Sequence, residues 1–538
     1  MPERNLRIFL VMAVAIVAAV LAVALVTRPG PRPPATGAAE LVPGDALLYI
    51  HVSTDTSRPG VQQALRVAQR LPDFPLAAAA VSSRLGPILT GTRGATIDFA
   101  SQVEPWLGRE VGFALLNTPT STAGSLIVID VRNRAKAMSF LQGAGIVPLA
   151  TYHGISLMRY PSGTTAAFVR HYLVLGQRAS LRAAIDAAAR RIQPLSANPA
   201  YRQAAAGEPD DRFLDAYISV AGIRRVLAPQ GGLLGALAVL LYQPALSGTT
   251  VAVSAASGGL RVRIHGALDP TLVRLSGRGG PSFTPTLASV MPEGTTLLLD
   301  VDGLNRVAGR VLTAGAQGGI AGRVGPLLRR LGAALASEGV DVAQVTSIFS
   351  GETAGAVSPP GAQAAGGAAR GPALLIVART KHQEATRRLL AGVEAPLARL
   401  FPPPSSGAGQ VPEFNDVPVA GVTVHQLALA SGLALDYAVF RGLVAVSTSL
   451  QAIAGVARHA RSLADDPAYQ AVVGGSDRVT SLVFLDFNQL LSLAEQTGLA
   501  RSSRLTALTP DLRKIRAIGL ASTRGENDTT AELFLQIS

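Results

Sequence analysis

The residues best suited to chemistry in this sequence are carboxylates next to short apolar runs. Asp300, Asp302 and Asn305 resemble the start of a calcium-binding loop, which places oxygen ligands at regular intervals. Val311 stands where such a loop needs its bidentate glutamate, and the sixth position is not glycine, so no calcium site is predicted. Glu110 and Asp300 remain the candidates for acid and base catalysis, which would require one of them to be buried in a cleft with a raised pKa.

Other familiar catalytic and ligand-binding patterns do not occur. The sequence has no phosphate loop, nucleophile elbow, HExxH helix or CxxC pair, and its seven histidines lack metal-ligand spacing. Gly277, Gly279 and Gly280 are not followed by a helix pattern and indicate a linker. The absence of cysteine excludes disulfides, thiol nucleophiles and cysteine metal sites. We therefore predict no catalytic residue, no cofactor and no metal ligand.

The elements that must position these carboxylates are arranged in an internal repeat. LSANPAYRQ from Leu195 recurs as LADDPAYQA from Leu463, and LVPGDALLYIHV from Leu41 recurs as VMPEGTTLLLDV from Val290. Further matches follow in the same order, which indicates a tandem duplication. The predicted boundaries are a short cytoplasmic tail at 1–7, an anchor at 8–26, a Pro-rich stalk at 27–40, a first repeat at 41–270, a linker at 271–287 and a second repeat at 288–538.

Several polar residues fall at equivalent places in the two repeats. Glu110 lies in LGREVGFAL and Glu352 in FSGETAGAV, whereas Asp302 and Asn488 each follow a strand pattern where a helix pattern begins. Aspartate and asparagine at a helix start accept backbone N–H bonds, so Asp302 and Asn488 are predicted as N-caps. A residue present in both repeats is more simply explained by their shared fold than by one active site.

Each repeat alternates strand patterns with helix patterns. Short β-branched or aromatic runs such as 46–52, 111–116 and 125–131 are bounded by turn residues and predict strands. Residues 181–192 carry apolar side chains at helical spacing, which predicts an amphipathic helix. Because short gaps between strands favour antiparallel pairing, we predict an α+β fold with a mostly antiparallel sheet in each repeat and helices on one face.

The longest apolar run lies near the start of the chain. Residues 8–26 span about nineteen uncharged positions, about 28 Å as a helix, against a bilayer core of about 30 Å. A cleaved signal peptide is the alternative, since Ala22 and Ala24 give a small-x-small site inside the run. We predict a single-pass plasma-membrane anchor that leaves the C-terminal body extracytoplasmic.

Composition and charge restrict the partners. A hydrophobic content of 48% with 15% charged residues is typical of a folded protein with a large core. The net charge is +13, but the basic residues are nearly all scattered arginines and aromatics make up only 5%. A nucleic-acid surface needs a basic stripe, commonly interleaved with aromatics, so no nucleic-acid partner is predicted.

Two features have no counterpart in the other repeat. Trp106, the only tryptophan, is interpreted as a core residue. Residues 231–242 form an uncharged apolar run too short to span a membrane, which fits either a buried helix or a contact surface for a lipid or apolar ligand. On the second interpretation the contacting residues are Leu233, Leu234, Leu237 and Leu240.

The order of anchor, Pro-rich stalk, LVPGDALLYIHV strand, DPAY turn and second opening strand resembles a domain-of-unknown-function family. Its members are membrane-anchored extracytoplasmic proteins of actinobacteria and related GC-rich bacteria. The resemblance covers nearly the whole exported part, but its motifs are structural, so it implies no activity, substrate or site residue.

Together these observations favour a non-enzymatic cell-envelope protein that is anchored to the membrane. It would bind or scaffold an apolar ligand, a lipid or an envelope protein. The alternative is an envelope hydrolase that uses carboxylates such as Glu110 or Asp300 as acid and base.

Overall fold

The computed structural model describes the chain from residue 33 to residue 538. Within that span the residues outside the description are 73–85, 88, 91–96, 118–123, 228–244, 277–281, 306–331, 360–371, 402–411, 431–432, 459–460, 476 and 497–509. The predicted segments at 8–26 and 231–242, and with the latter Leu233, Leu234, Leu237 and Leu240, also lie outside the described residues.

The described residues form one sheet of twenty antiparallel strands. The strands of the first half are β1 Leu48–Ser53, β2 Leu107–Leu116, β3 Gly124–Val131, β4 Val147–Tyr152, β5 Ile155–Arg159, β6 Thr165–Val169, β7 Tyr172–Gly176, β8 Leu214–Ser219, β9 Leu246–Ala256 and β10 Gly259–Leu268. Those of the second half are β11 Leu297–Asp302, β12 Glu352–Ser358, β13 Ala373–Arg379, β14 Phe414–Val419, β15 Val422–Ala430, β16 Leu433–Phe440, β17 Leu443–Ser447, β18 Ser481–Asp486, β19 Ile515–Arg524 and β20 Asp528–Ile537.

Helices connect and cover these strands. The described α-helices are α1 Pro59–Ala68, α2 Phe99–Gln102, α3 Arg134–Gly143, α4 Arg178–Ala188, α5 Pro199–Ala205, α6 Val220–Gly222, α7 Pro270–Ser276, α8 Val342–Thr346, α9 Gln383–Arg399, α10 Leu450–Arg458, α11 Pro467–Val473 and α12 Phe487–Gln496. Short 3-10 helices lie at Gly37–Glu40, Leu195–Ala197, Leu287–Ser289, Ser347–Phe349 and Leu463–Asp465, and a π-helix lies at Ile223–Leu227.

The two halves have the same strand order. From the outer edge inwards the first half runs β4-β5-β6-β7-β3-β2-β1-β8-β9-β10. The second half runs β14-β15-β16-β17-β13-β12-β11-β18-β19-β20. The halves join where β10 pairs with β20, from Gly259 opposite Gln536 to Ala267 opposite Asp528. The equivalent strands of the two halves therefore meet at the centre of the sheet.

The two PAY motifs begin equivalent helices. Proline occupies the first turn of α5 and of α11, where its missing N–H costs nothing. The residue before each proline is the N-cap: Asn198 accepts from the Ala200 N–H at 2.9 Å, and Asp466 accepts from the Ala468 N–H at 2.7 Å. The same local chemistry therefore starts a helix at the same topological place in each half.

The predicted fold class, two separate lobes behind a transmembrane helix, is wrong. The strands form a single continuous sheet because β10 and β20 each use their second edge to pair with the other half. An unpaired edge would expose a row of backbone donors and acceptors, and pairing removes it. The sequence pattern predicts strands but does not say which edges meet.

The predicted membrane span is also corrected. In the chain from residue 33 onwards, apart from the gaps given above, no helix is long and apolar enough to cross a membrane. The longest, α9, has 17 residues and carries glutamates and arginines as well as Pro396. No described helix therefore supplies the predicted single-pass anchor on which the plasma-membrane localisation depends, and the predicted segment 8–26 itself lies outside the described residues.

The faces of the sheet are covered differently in the two halves. In the first half Ile50 and Ile127 are buried on either side of Phe113, which pairs with both of them. In the second half the equivalent Leu299 and Ile376 flank Gly355, whose position has open space where a side chain would lie. Leu299 is 42% exposed and Ile376 is 36% exposed, so the second half presents an apolar face among the described residues.

Alanine substitutions at equivalent positions test this difference. Ile50→Ala should cost about 2–4 kcal/mol of unfolding free energy, because it leaves a cavity in a packed core. Leu299→Ala should cost less than about 1 kcal/mol, since much of its side chain is already in solvent. Denaturant unfolding of both variants measures the two losses. Equal losses would show that another part of the chain, or a partner, covers Leu299 in solution.

Candidate binding site

The two carboxylates that the repeats share hold the short helix in front of each opening strand. Glu110 accepts the backbone N–H of Ala38 at 3.3 Å and the hydroxyl of Tyr172 at 2.6 Å. Glu352 accepts the backbone N–H of Leu287 at 2.8 Å and also that of Thr286. Both carboxylates thus satisfy N–H groups at a 3-10 helix start, which is a structural role.

The first half contains a buried network of alternating charges. His51 Nδ1 lies 2.8 Å from Asp215 Oδ1, and His51 Nε2 lies 3.4 Å from Glu110 Oε2. Burial opposes the charged imidazole, but the two carboxylates outweigh it and raise the pKa of His51 to about 9. Burial alone would raise the pKa of Glu110 and of Asp215, yet the charged histidine holds both below their usual range. At neutral pH His51 is therefore a paired cation and not a free base.

The network continues through an arginine. Arg212 Nε lies 3.0 Å from Asp215 Oδ1 and 3.0 Å from Glu208 Oε2. Burial, helped by the negative charge of Asp215, raises the pKa of Glu208 to about 7. Glu208, at the end of this network, therefore titrates near neutral pH, whereas His51 at its centre does not.

The second half has an aspartate where the first half has His51. Asp300 is fully buried, and its strand neighbours are Ala354 and Leu482. Burial and the nearby carboxylate of Glu352, which accepts a hydrogen bond from the neutral acid, raise the pKa of Asp300 to about 8. Glu352 itself pairs with Arg379 at 3.0 Å. Asp300 is thus a neutral acid inside the core.

Of the two predicted N-caps, only Asn488 can be compared with a helix that the structure describes in full. Asn488 is not the cap, because α12 begins at Phe487 and the Gln489 N–H is accepted at 3.0 Å by Asp486. The sequence pattern placed the helix start two residues too late. The helix predicted after Asp302 extends into 306–331, outside the described residues.

A cavity of about 840 Å³ lies between α2, the start of β2 and α3. Its walls combine apolar side chains with hydroxyl and amide groups and one lysine. The lining residues are Thr90, Ile97, Ser101, Gln102, Pro105, Trp106, Lys136, Ser139, Phe140, Gly143, Ala144 and Gly145.

Two capped helices and an aromatic pair build this cavity. Asp98 caps α2 by accepting the Ala100 N–H at 3.2 Å, and Asn133 caps α3 by accepting the Lys136 N–H at 3.0 Å. The Trp106 indole N–H donates to the Gln102 carbonyl at 2.7 Å, and the Trp106 ring packs against Phe140 with centroids 5.6 Å apart. The tryptophan is thus fixed at the base of the cavity by one hydrogen bond and one ring contact.

Sequence reasoning placed the binding residues elsewhere. The predicted contacts at Leu233, Leu234, Leu237 and Leu240 lie outside the described residues and stay a prediction. Trp106 was interpreted as core, and it is 1% exposed, yet it also borders the cavity. Its lack of a counterpart in the other repeat was the one available signal. The candidate catalytic residues Glu110 and Asp300 do not line the cavity.

Removing His51 should destabilise the first half strongly. His51→Ala leaves Asp215 and Glu110 as buried carboxylates without their cation, at a cost of about 3–5 kcal/mol. Because the folded pKa of His51 is raised, its stabilising contribution is complete below about pH 6.5 and is lost as the pH rises through about 9. Denaturant titrations at pH 6 and pH 9.5 measure this. His171→Ala, an exposed histidine, is the control; similar small losses in both variants would refute the buried network.

Replacing Asp300 should instead stabilise the protein at high pH. The folded pKa of Asp300 is about 8 and its ordinary value is 3.8, so wild-type stability falls as the pH rises between these values. Asp300→Asn stays neutral and lacks that loss. The stability difference between variant and wild type should therefore grow from pH 5 to pH 8.5 in denaturant unfolding. The exposed Asp477→Asn should show no such growth; a pH-independent difference for Asp300→Asn would contradict the raised pKa.

Comparison with known proteins gives a family but no activity. No curated protein matches the chain. Three crystal forms of the protein TP0453, forms I, III and IV, are 11%, 12% and 13% identical in sequence, respectively. Form I covers 47% of this chain and 89% of its own, with a TM-score of 0.27, which is too low to support an argument about fold or function. A family model described as "Protein of unknown function (DUF3352)" matches residues 8–537, and the chain belongs to that family.

Proposed function

We propose that this protein is a non-catalytic binding module that holds an apolar or amphiphilic small molecule in the cavity between α2 and α3. The observation that carries this proposal is the cavity itself. Its volume of about 840 Å³ falls in the range of about 300–1,000 Å³ typical of small-molecule sites. Its walls combine aromatic and aliphatic side chains with an equal share of polar groups, which suits an occupant with both kinds of surface.

The arrangement of the carboxylates supports binding over hydrolysis. An acid–base pair must lie within hydrogen-bond reach of its substrate, so the position of the two carboxylates is considered before their pKa values. Asp300 has the raised pKa that the hydrolase alternative needs, and Glu352 lies beside it, but Asp300 is fully buried in the core. Glu110 is buried too, and its pKa is lowered, so it is a poor proton donor at neutral pH.

The origin of the protein also remains our proposal. Its basic residues are nearly all arginines, with lysine only at Lys136, Lys381 and Lys514. This pattern is typical of codon bias in a GC-rich genome, which supports a source among actinobacteria and related bacteria.

Trp106 allows a direct test because it is the only tryptophan in the chain. Titration with dodecanol, an uncharged single-chain probe, should change the emission of Trp106 in a saturable way. Filling the cavity should weaken this binding. Gly143 lines the cavity and has open space at its Cβ, so Gly143→Phe should lower the dodecanol affinity at least about tenfold.

A second helical glycine provides the matched control. Gly392 in α9 also has open space at its Cβ but does not line the cavity. Gly392→Phe should therefore bind dodecanol like the wild type. The proposal fails if dodecanol gives no saturable signal, or if the two phenylalanine variants bind equally well.

A further inference from the structure

We infer that the ligand of this cavity is a single-chain amphiphile whose anionic head group contacts Lys136. This inference rests on the proposed function and adds the chemistry of the ligand. The cavity has one charged lining residue, Lys136, and no acidic lining residue. An occupant with a negative end and an apolar remainder complements that composition.

Lys136 is a cation available to a ligand. It is exposed, lies in the first turn of α3, and has no carboxylate within ion-pair distance among the described residues. The positive end of the helix dipole reinforces its charge. The neighbouring Arg134 is engaged elsewhere, since its guanidinium lies 4.7 Å from the ring centroid of Phe168.

The acidic residues next to the cavity do not neutralise Lys136. Asp98 accepts from the Ala100 N–H and from the Ser101 hydroxyl, so its carboxylate serves as the cap of α2. Glu104 lies between two lining segments but is not itself in the lining. The positive charge of Lys136 is therefore not cancelled by a partner in the cavity wall.

The polarity of the cavity changes along α3. Lys136, Ser139, Phe140 and Gly143 are spaced by three or four residues, so they lie on one helix face. At 1.5 Å per residue, Lys136 and Gly143 are about 10 Å apart along the helix axis. The helix face thus runs from a cation, past an aromatic ring, to the small residues at 143–145. A head group at Lys136 with a chain directed towards Gly143 fits this gradient.

Four single-chain probes with twelve carbons in the main chain test the head group. Dodecanoate, dodecyl phosphate, dodecanol and dodecyltrimethylammonium are titrated below the concentrations at which they form micelles, with Trp106 emission as the signal. The two anions should bind about threefold more tightly than dodecanol, as an exposed ion pair gives. The cation should bind more weakly than dodecanol. The difference between dodecanoate and dodecyl phosphate tells which kind of anion is preferred.

Charge reversal assigns the effect to Lys136. Lys136→Glu should remove the preference for anions over dodecanol and favour the cationic probe. Lys514→Glu, a charge-matched variant outside the cavity lining, should keep the wild-type order. Equal affinities for all four head groups, or an anion preference that survives Lys136→Glu, would overturn the inference and leave the binding function intact. No saturable binding of any probe would overturn both.

Discussion

The pairing of β10 with β20 is the interaction on which the rest of the structure depends. Each half is a ten-strand sheet whose last strand would otherwise expose an edge of unpaired N–H and C=O groups. The ladder from Gly259–Gln536 to Ala267–Asp528 satisfies both edges at once. It also fixes the orientation of the halves, because equivalent strands can pair antiparallel only about a local two-fold axis. The opposite edges, β4 and β14, both contain a proline, which discourages further pairing.

The same position in the two halves solves one electrostatic problem in two ways. The first strand of each half lies between the second and the eighth. The equivalent residues His51 and Asp300 on this strand are buried, so an ion at that position needs a partner. In the first half Asp215 on β8 allows His51 to stay charged. In the second half Leu482 stands opposite Asp300. Burial with the nearby carboxylate of Glu352 outweighs the charge of Arg379, so Asp300 keeps its proton. Two halves with one backbone plan can therefore differ in charge, and burial together with an adjacent carboxylate raises the pKa of Asp300 without any catalytic role.

The sequence predicted the local elements better than their assembly. The strands and their antiparallel pairing follow from residue patterns, whereas the segment predicted as a DPAY turn and its equivalent in the first half both begin helices. The joined sheet was not predictable, because the pattern of an edge strand resembles that of a paired one. The sequence predicts Asn488 as the cap although Asp486 is the acceptor, since a strand ending in aspartate gives no sign of where the helix begins. The cavity depends on the spacing of two helices, which no residue pattern records.

The helix that lines the cavity in the first half is shorter than its counterpart in the second half. Glu110 and Glu352 are equivalent, so Trp106 corresponds to Ile348 and α3 corresponds to α9. The helix α3 has ten residues and ends in small residues, whereas α9 has 17. In the second half Leu389 and Leu390 of α9 pack directly against the cluster that contains Ile348. Phe140 and Leu141 hold the equivalent places in α3 and pack against the cluster that contains Trp106, so the halves differ in the length of this helix and not in this contact. A binding function can therefore reside in one half of a repeated fold while the other half supplies the shared sheet.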